Sequence, residues 1–312
     1  MRFSADHWAL ILGGSSGFGL AAAKKLAACG MSVAVVHRDR RGAMGPIEEQ
    51  FSAIRSTGST LATFNLDATA AEGRAAVLAG LTRSMGDRGR VRLLLHSIAY
   101  GNLKLLAPLP EGPSAVARAR ARLAELLGVA EDTIAAAIET AAREFDAFAD
   151  LAWESRYDAE SLLEDEDFAH TIHAMGTSLA TWAQNLLSRG LFASDARVLG
   201  LTSEGNELAW RGYAAVAAAK VALESTVRAM ALELAPYGIR SNVVQPGVAD
   251  TPALRLIPGN AHMKASARKR NPFGRLTTPE DVADVICLLC TDEARWINGS
   301  IVRVDGGEHI AG

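Results

Sequence analysis

The sequence predicts a doubly wound α/β fold, which is a parallel β-sheet with helices on both faces. Short, nearly continuous apolar runs alternate with helical patterns along the 312 residues, as expected for strands that are buried on both sides. The first apolar run passes through a glycine-rich turn directly into a helix, so the chain opens with a strand–turn–helix–strand unit. In such a sheet a ligand binds at the carboxyl ends of the strands.

Seven apolar runs predict seven strands, and the helical patterns between them predict the crossovers. Gly30 ends the first helix before the second apolar run starts. The predicted strands are residues 8–12, 31–36, 61–66, 91–96, 197–202, 239–245 and 300–304. We expect one domain over residues 1–312.

An insertion of about residues 108–167 follows the fourth strand and is longer than a crossover needs. Ser114 is the predicted N-cap of a helix that ends at Gly128. A second helix is expected from Asp132 or Thr133, with an apolar face formed by Ile134, Ile138, Phe145 and Phe148. The insertion follows a strand end at the ligand edge of the sheet, so we expect it to be a substrate lid or portal. A contact between subunits, or a surface addition without a function, is the alternative.

Charge and composition argue against several classes of protein. The net charge of −3 gives no electrostatic reason to expect binding to nucleic acid or to an anionic membrane surface. Three cysteines make no disulfide framework, and Cys287 and Cys290 lie in an apolar helical stretch that predicts buried thiols, not a metal site. No apolar run approaches the roughly 18 residues that span a bilayer. We therefore expect a cytoplasmic protein without a bound metal.

The glycine-rich turn predicts a dinucleotide site. Gly13 allows the tight turn, Gly17 lets the backbone approach a pyrophosphate, and Gly19 lets the helix pack closely on the strand. Ser15 and Ser16 add hydroxyl donors. A glycine pattern alone is a weak signal, but here a strand precedes it and a helix follows it.

The end of the second predicted strand favours NADPH over NADH. An NAD site usually has an acid there that binds the ribose hydroxyls, whereas this strand ends at His37 and Arg38. Asp39 comes one residue late, between Arg38 and Arg40. Because a guanidinium binds a 2′-phosphate that a carboxylate repels, we expect NADPH, with NADH as the less favoured cofactor.

Tyr213 and Lys220 are the candidate catalytic pair. They lie seven residues apart on a predicted alanine-rich helix, about two turns, so their side chains share a face. An ammonium close to a phenol lowers the pKa of the phenol, which makes it a usable proton donor at neutral pH.

These motifs resemble the short-chain dehydrogenase/reductase family over nearly the whole chain except the insertion. The resemblance rests on the glycine loop, Tyr213 and Lys220, Pro246-Gly247 with Thr251, and the closing Val304-Asp305-Gly306-Gly307. Most members place the Tyr four residues before the Lys, where this chain has Val216. The Tyr-x6-Lys spacing and the sequence His96-Ser97-Ile98-Ala99 resemble the branch that includes the enoyl-acyl carrier protein reductases.

The resemblance implies a Rossmann fold, a homotetramer and an NADPH-dependent reductase of a trans-2-enoyl thioester carried by a protein or by coenzyme A. Tyr213 would stabilise the enolate oxygen and Lys220 would hold the nicotinamide ribose. The cofactor-binding positions that it implies are Gly13, Ser15, Gly17, Phe18, Gly19, His37, Arg38, Asp67, Ala68, Ser97, Ile98, Lys220, Val248 and Thr251.

Ser203 keeps a second reaction open. Enoyl reductases usually have another Tyr at this position, ten residues before Tyr213, whereas many ketone-reducing relatives place a Ser at the end of the same strand. Ser203 is therefore a third candidate catalytic residue, and a carbonyl reductase of a 3-ketoacyl thioester or another ketone is the alternative. A dinucleotide-binding regulator without turnover is the remaining class, which the presence of both Tyr213 and Lys220 disfavours.

Overall fold

The computed structural model describes residues 2–153, 155, 157 and 161–311. In this part of the chain seven parallel strands form one sheet in the order β3-β2-β1-β4-β5-β6-β7. The strands are β1 (His7–Leu12), β2 (Ser32–His37), β3 (Leu61–Asn65), β4 (Arg90–His96), β5 (Phe192–Leu201), β6 (Ile239–Pro246) and β7 (Ile301–Val304). The predicted doubly wound Rossmann fold is confirmed.

Helices cover both faces of the sheet. They are α1 (Gly17–Ala28), α2 (Met44–Arg55), α3 (Ala71–Met85), α4 (Ala115–Leu127), α5 (Glu131–Glu144), α6 (Ala149–Ala152), α7 (Asp165–Ile172), α8 (Ser178–Ser188), α9 (Ala214–Glu233), α10 (Pro252–Arg255), α11 (Asn260–Arg270) and α12 (Pro279–Leu289). Among the described residues, none of the helices is long and apolar enough to cross a bilayer.

The apolar strands build two cores because neighbouring side chains of a strand point to opposite faces of the sheet. Leu10 belongs to the core under α3, α8 and α9, where Trp182 is completely buried. Ile11 belongs to the other core, which packs against α1, α2 and α12 and contains Phe51. Burial on both faces explains why these strands are apolar throughout.

The register of the sheet brings the carboxyl ends of four neighbouring strands together. Leu12 at the end of β1 lies opposite Val36 of β2 and His96 of β4. His96 in turn lies opposite Gly200 of β5. The loops that leave β1, β2, β4 and β5 therefore start side by side, and they carry the candidate site.

The insertion forms a small helical unit with its own core. The Ser114 hydroxyl accepts a hydrogen bond from the N–H of Ala117, and Gly128 ends α4 in the left-handed conformation, as predicted. Apolar residues of α4, α5 and α6 bury one another, namely Ala124, Ile134, Ile138, Ala142 and Ala152. Phe145 and Phe148 do not join this core and are 59% and 40% exposed. That part of the prediction was wrong because α5 ends at Glu144 and the chain turns into an extended conformation at Phe145.

The cysteines of α12 and its C-cap are buried thiols, as predicted. Cys287 and Cys290 are almost inaccessible, and burial raises the pKa of each to about 12. The Sγ atoms of Cys287 and Cys29 lie 3.7 Å apart, between α12 and the end of α1.

Candidate active site

The glycine loop after β1 packs backbone against backbone. A Cβ on Gly13 would lie 2.6 Å from the carbonyl oxygen of Ser97, and one on Gly19 would lie 2.2 Å from the carbonyl oxygen of Gly13. Gly14 is equally restricted, since its Cβ would lie 2.8 Å from Val35 Cγ1. Sequence reasoning missed Gly14, because its contact is with a strand that is remote in sequence.

The start of α1 is open for an anion. Ser16 is the N-cap, and its side chain makes no capping hydrogen bond to the first turn. Gly17 has a φ of +51°, and a Cβ there would meet only the Thr251 side chain, at 3.6 Å or more. The uncapped N–H groups and the positive end of the helix dipole therefore fit the pyrophosphate of a dinucleotide.

Arg38 and Asp67 form an ion pair where β2 and β3 end. Arg38 Nη1 donates a hydrogen bond of 2.8 Å to Asp67 Oδ2, while the N–H and the hydroxyl of Thr69 donate to Asp67 Oδ1. Burial works to raise the pKa of Asp67, but the hydrogen bonds from Thr69 and the charge of Arg38 outweigh it, so the pKa is lowered. The Arg38 guanidinium also lies 4.6 Å from the ring centroid of Tyr100. It remains half exposed and able to reach a ligand.

His37 and Asp39, at the same strand end, bind each other. The ring of His37 is buried against Phe51, with the ring centroids 5.4 Å apart, and its Nδ1 lies 2.9 Å from Asp39 Oδ2. His37 therefore offers a ligand mainly its backbone. Because the Asp39 carboxylate is bound to His37, the exposed cations that remain for a ribose substituent at this strand end are Arg38, Arg40 and Arg41.

Four further cofactor-binding positions that the resemblance implies lie at the same edge of the sheet. Ser15, Ala68 and Ile98 lie in loops, and Phe18 lies in the first turn of α1. Phe18 and Ile98 are partly buried and pack against the two cores. The carbonyl of Ala68 accepts a 2.9 Å hydrogen bond from Trp182 Nε1, and Ser15 is half-buried in the glycine loop.

Tyr213 and Ser203 lie together at the start of α9. Tyr213 is the N-cap of α9, and a Cβ on Gly205 would lie 2.5 Å from Tyr213 Cε1, so the ring packs directly on the Gly205 backbone. Burial raises the pKa of the Tyr213 phenol, and the adjacent Ser203 hydroxyl acts in the opposite direction. Ser203 Oγ is buried without a hydrogen-bond partner of ordinary geometry among the described residues. An unpartnered hydroxyl beside a phenol is a suitable place for a substrate oxygen.

Lys220 is buried two turns further along α9. Its ammonium donates a 2.8 Å hydrogen bond to the carbonyl oxygen of Leu201, and burial lowers its pKa to about 8, opposed by the charge of Glu224. The expected lowering of the Tyr213 pKa by Lys220 is not found, because burial dominates at the phenol and the ammonium is bound to Leu201.

Glu224 is a buried acid that sequence reasoning missed. It accepts hydrogen bonds from Thr202 Oγ1 and, at 2.7 Å, from Asn206 Nδ2. These two donors flank Ser203, so one carboxylate connects α9 with the loop that carries the serine. Its place four residues after Lys220, in an otherwise apolar run, was the available signal.

His96 and Ser97 close the site from β4. His96 Nε2 lies 2.9 Å from Ser178 Oγ, and burial together with the charge of Lys220 lowers the pKa of the imidazole to about 3. The imidazole is therefore neutral at physiological pH. The N–H of Ser97 donates to the carbonyl of Leu12, which fixes the strand end that meets Gly13.

Val248 and Thr251 follow β6 and already have partners within the chain. The N–H of Val248 donates to the carboxylate of Glu308 at 3.2 Å, and Thr251 Oγ1 accepts from the N–H of Leu254 as the N-cap of α10. Glu308 is buried, and burial raises its pKa. Sequence reasoning also missed this acid, since nothing local marks its contact with Val248.

A helix N-terminus open to a pyrophosphate, with a partly buried Tyr213 and a buried Lys220 on one helix at the same sheet edge, fits a dinucleotide-dependent oxidoreductase. Two family models match the chain: a short-chain dehydrogenase model over residues 7–107, and one described as enoyl-(acyl carrier protein) reductase over residues 129–309. The chain belongs to the short-chain dehydrogenase/reductase family, in a branch similar to the enoyl-acyl carrier protein reductases.

Relatives within the family carry different activities. A cis-4-hydroxycyclohexanecarboxylate dehydrogenase of Sinomonas cyclohexanicum is 30% identical over 75% of this chain and 96% of its own length. The NADH-dependent enoyl-[acyl-carrier-protein] reductase of Aquifex aeolicus is 41% identical over 37% of this chain and 43% of its own. The crystal structure of that reductase superposes with a TM-score of 0.70 over 98% of this chain and 97% of its own, at 24% identity. The chain is therefore an oxidoreductase of this family. Because the relatives act on different substrates, family membership does not identify its substrate.

Proposed function

We propose that the protein is an NADPH-dependent reductase of trans-2-enoyl thioesters. The observation that carries the proposal is the position of the phenol: Tyr213 is the N-cap of α9, seven residues before the buried Lys220. The position four residues before Lys220 is Val216, which is buried among apolar neighbours from α7, from the segment 173–177 and from α9, and offers no proton.

The displaced phenol suits a substrate whose oxygen is remote from the carbon that is reduced. In an enoyl thioester the hydride adds to C3, while the negative charge develops on the thioester oxygen three bonds away. A bound nicotinamide nucleotide supplies that hydride. The Tyr213 phenol, kept protonated by its raised pKa, donates a hydrogen bond to the developing enolate oxygen. The enolate then takes up one proton from water at C2, which completes the reduction.

Lys220 would hold the nicotinamide ribose and keep the electrostatic potential of the site positive. Its pKa of about 8 leaves most of the ammonium protonated at neutral pH, and its hydrogen bond to Leu201 holds it in place. His96 stays neutral nearby and does not compete for the proton.

Arg38 supports the choice of NADPH. It is the first of three exposed arginines that follow β2, with Arg40 and Arg41, while the Asp39 carboxylate is bound to His37. The Aquifex relative is named for NADH, so the nucleotide preference requires its own measurement.

One observation favours a second candidate, a carbonyl reductase of 3-ketoacyl thioesters or other ketones. The unpartnered Ser203 hydroxyl lies beside Tyr213, where it would polarise a carbonyl directly bonded to the carbon that accepts hydride. NADPH oxidation measured with trans-2-enoyl and 3-ketoacyl thioesters of the same length and carrier distinguishes the two candidates. If the protein binds NADPH but reduces neither thioester, the result favours the dinucleotide-binding regulator without turnover. The homotetramer stays a prediction from the family resemblance, and the cytoplasmic location stays a prediction from the composition of the chain.

A further inference from the structure

The segment α10–α11 covers the catalytic edge of the sheet. It starts at Thr251, whose methyl group faces Gly17 of the glycine loop. It ends at Arg270, whose guanidinium binds the Glu204 carboxylate through two hydrogen bonds of 2.7 and 2.9 Å. Because Glu204 follows Ser203 directly, this ion pair ties the end of α11 to the loop that carries the candidate serine.

The insertion contacts α11 through charged pairs. Arg268 donates to both oxygens of Asp146, from Nε at 2.8 Å and from Nη2 at 2.5 Å. His262 Nδ1 lies 2.5 Å from the carboxylate of Asp150. The two pairs are separated by almost two turns of α11, so they fix its direction as well as its position.

The loop that precedes Tyr213 meets the same helix. Trp210 Nε1 donates a 3.1 Å hydrogen bond to the carbonyl of Pro258, just before α11. The rings of Trp210 and His262 are 5.6 Å apart between centroids. The insertion, α11 and the loop before Tyr213 are therefore joined by one connected set of contacts.

We propose that the inserted helices clamp α11 over the active site, and that Asp146 and Arg268 are positioning residues that set substrate selectivity. The pair is partly exposed, so its loss should leave the fold intact and act on the placement of α11. The identity of the substrate rests on the proposed function, whereas the clamp itself requires only that α11 bounds the substrate site.

The test compares Asp146→Asn with the wild type. Arg122→Gln is the matched control, because Arg122 forms an exposed ion pair with Glu125 within α4. NADPH Kd, kcat, KM for acyl thioesters of increasing chain length, and hydrogen–deuterium exchange of residues 259–271 are measured for each protein.

Asp146→Asn should raise KM about two- to fivefold with little change in kcat, change the chain-length preference, and speed exchange in α11. NADPH Kd should stay within about twofold, and Arg122→Gln should behave as the wild type. The exchanged pair Asp146→Arg with Arg268→Asp should restore slow exchange and the original preference.

Unchanged exchange in α11, or faster exchange with unchanged KM and chain-length preference, would overturn the clamp. If the wild type reduces only the 3-ketoacyl substrate, the proposed function fails while the clamp is tested on that substrate. If it reduces neither, the proposed function fails, and the exchange of α11 alone supports or overturns the clamp.

Discussion

Arg38 and Asp67 are bound to each other, with Arg38 Nη1 2.8 Å from Asp67 Oδ2. The charge of Arg38 at the strand end predicts that it binds the 2′-phosphate, the resemblance implies that Asp67 binds the adenine, and the two side chains form an ion pair. Asp67 therefore orients the guanidinium while its exposed face remains free for a phosphate. The nucleotide preference then depends on Arg38 much more than on the buried His37.

Replacing Arg38 by Asp should reverse or erase a preference for NADPH over NADH. The change removes a charge-assisted contact worth about 1.5–3 kcal/mol, or roughly ten- to hundredfold in affinity, and puts a carboxylate next to Asp67. Fluorescence titration gives Kd for both nucleotides. Arg88→Asp is the control, since Arg88 is exposed and lies before β4 at the opposite edge of the sheet. Equal affinities of the wild type for the two nucleotides would refute the assignment of Arg38.

The pKa of Lys220 predicts a loss of activity in mildly alkaline solution. Since the ammonium has a pKa of about 8, kcat/KM should be highest below that pH and fall about tenfold per unit above it. Glu224 raises this pKa, so Glu224→Gln should move the fall to lower pH while the amide oxygen still accepts from Thr202. Glu233→Gln, at the exposed end of the same helix, is the matched control. An unchanged pH profile in Glu224→Gln would show that the carboxylate does not act on Lys220.

Gly205→Ala should displace the Tyr213 ring, because the new Cβ would lie 2.5 Å from Cε1. A shift of about 1 Å in a reacting group costs on the order of a hundredfold in rate. We therefore expect kcat to fall by about that factor with NADPH Kd nearly unchanged. Gly45→Ala in α2, where a Cβ would meet nothing within 4 Å, should leave kcat as it is. Wild-type kcat in Gly205→Ala would contradict the packing of the phenol on this loop.

The fold and the motifs were predictable because their signals are local. The seven strands follow from apolar runs, and the Ser114 cap and the Gly128 terminator follow from adjacent residues. The features that could not be predicted from the sequence depend on contacts and helix ends that no local pattern marks. Gly205 is required by a ring eight residues later, Glu308 serves the N–H of Val248, and the exposure of Phe145 depends on where α5 ends. The raised pKa of Tyr213 likewise depends on burial, which the spacing to Lys220 does not reveal.

Ser203→Ala separates the two candidate reactions. If the phenol acts alone on an enolate oxygen, loss of the unpartnered Ser203 hydroxyl should change kcat/KM by less than about tenfold. Tyr213→Phe should lower the chemical step by about 10²–10⁴ with cofactor binding little changed. Both variants are assayed by single-turnover NADPH oxidation. A loss in Ser203→Ala as large as that in Tyr213→Phe would favour polarisation of a ketone.

The position of Tyr213 relative to Lys220 is tested most directly by the ratio of two specificity constants of the wild type. This ratio is kcat/KM for a trans-2-enoyl thioester divided by kcat/KM for the 3-ketoacyl thioester of the same chain length and carrier. Both constants are measured by NADPH oxidation. A phenol seven residues before Lys220 predicts a ratio well above one at every chain length that is turned over. Reduction of the 3-ketoacyl thioester without reduction of the enoyl thioester, across several chain lengths, would contradict it.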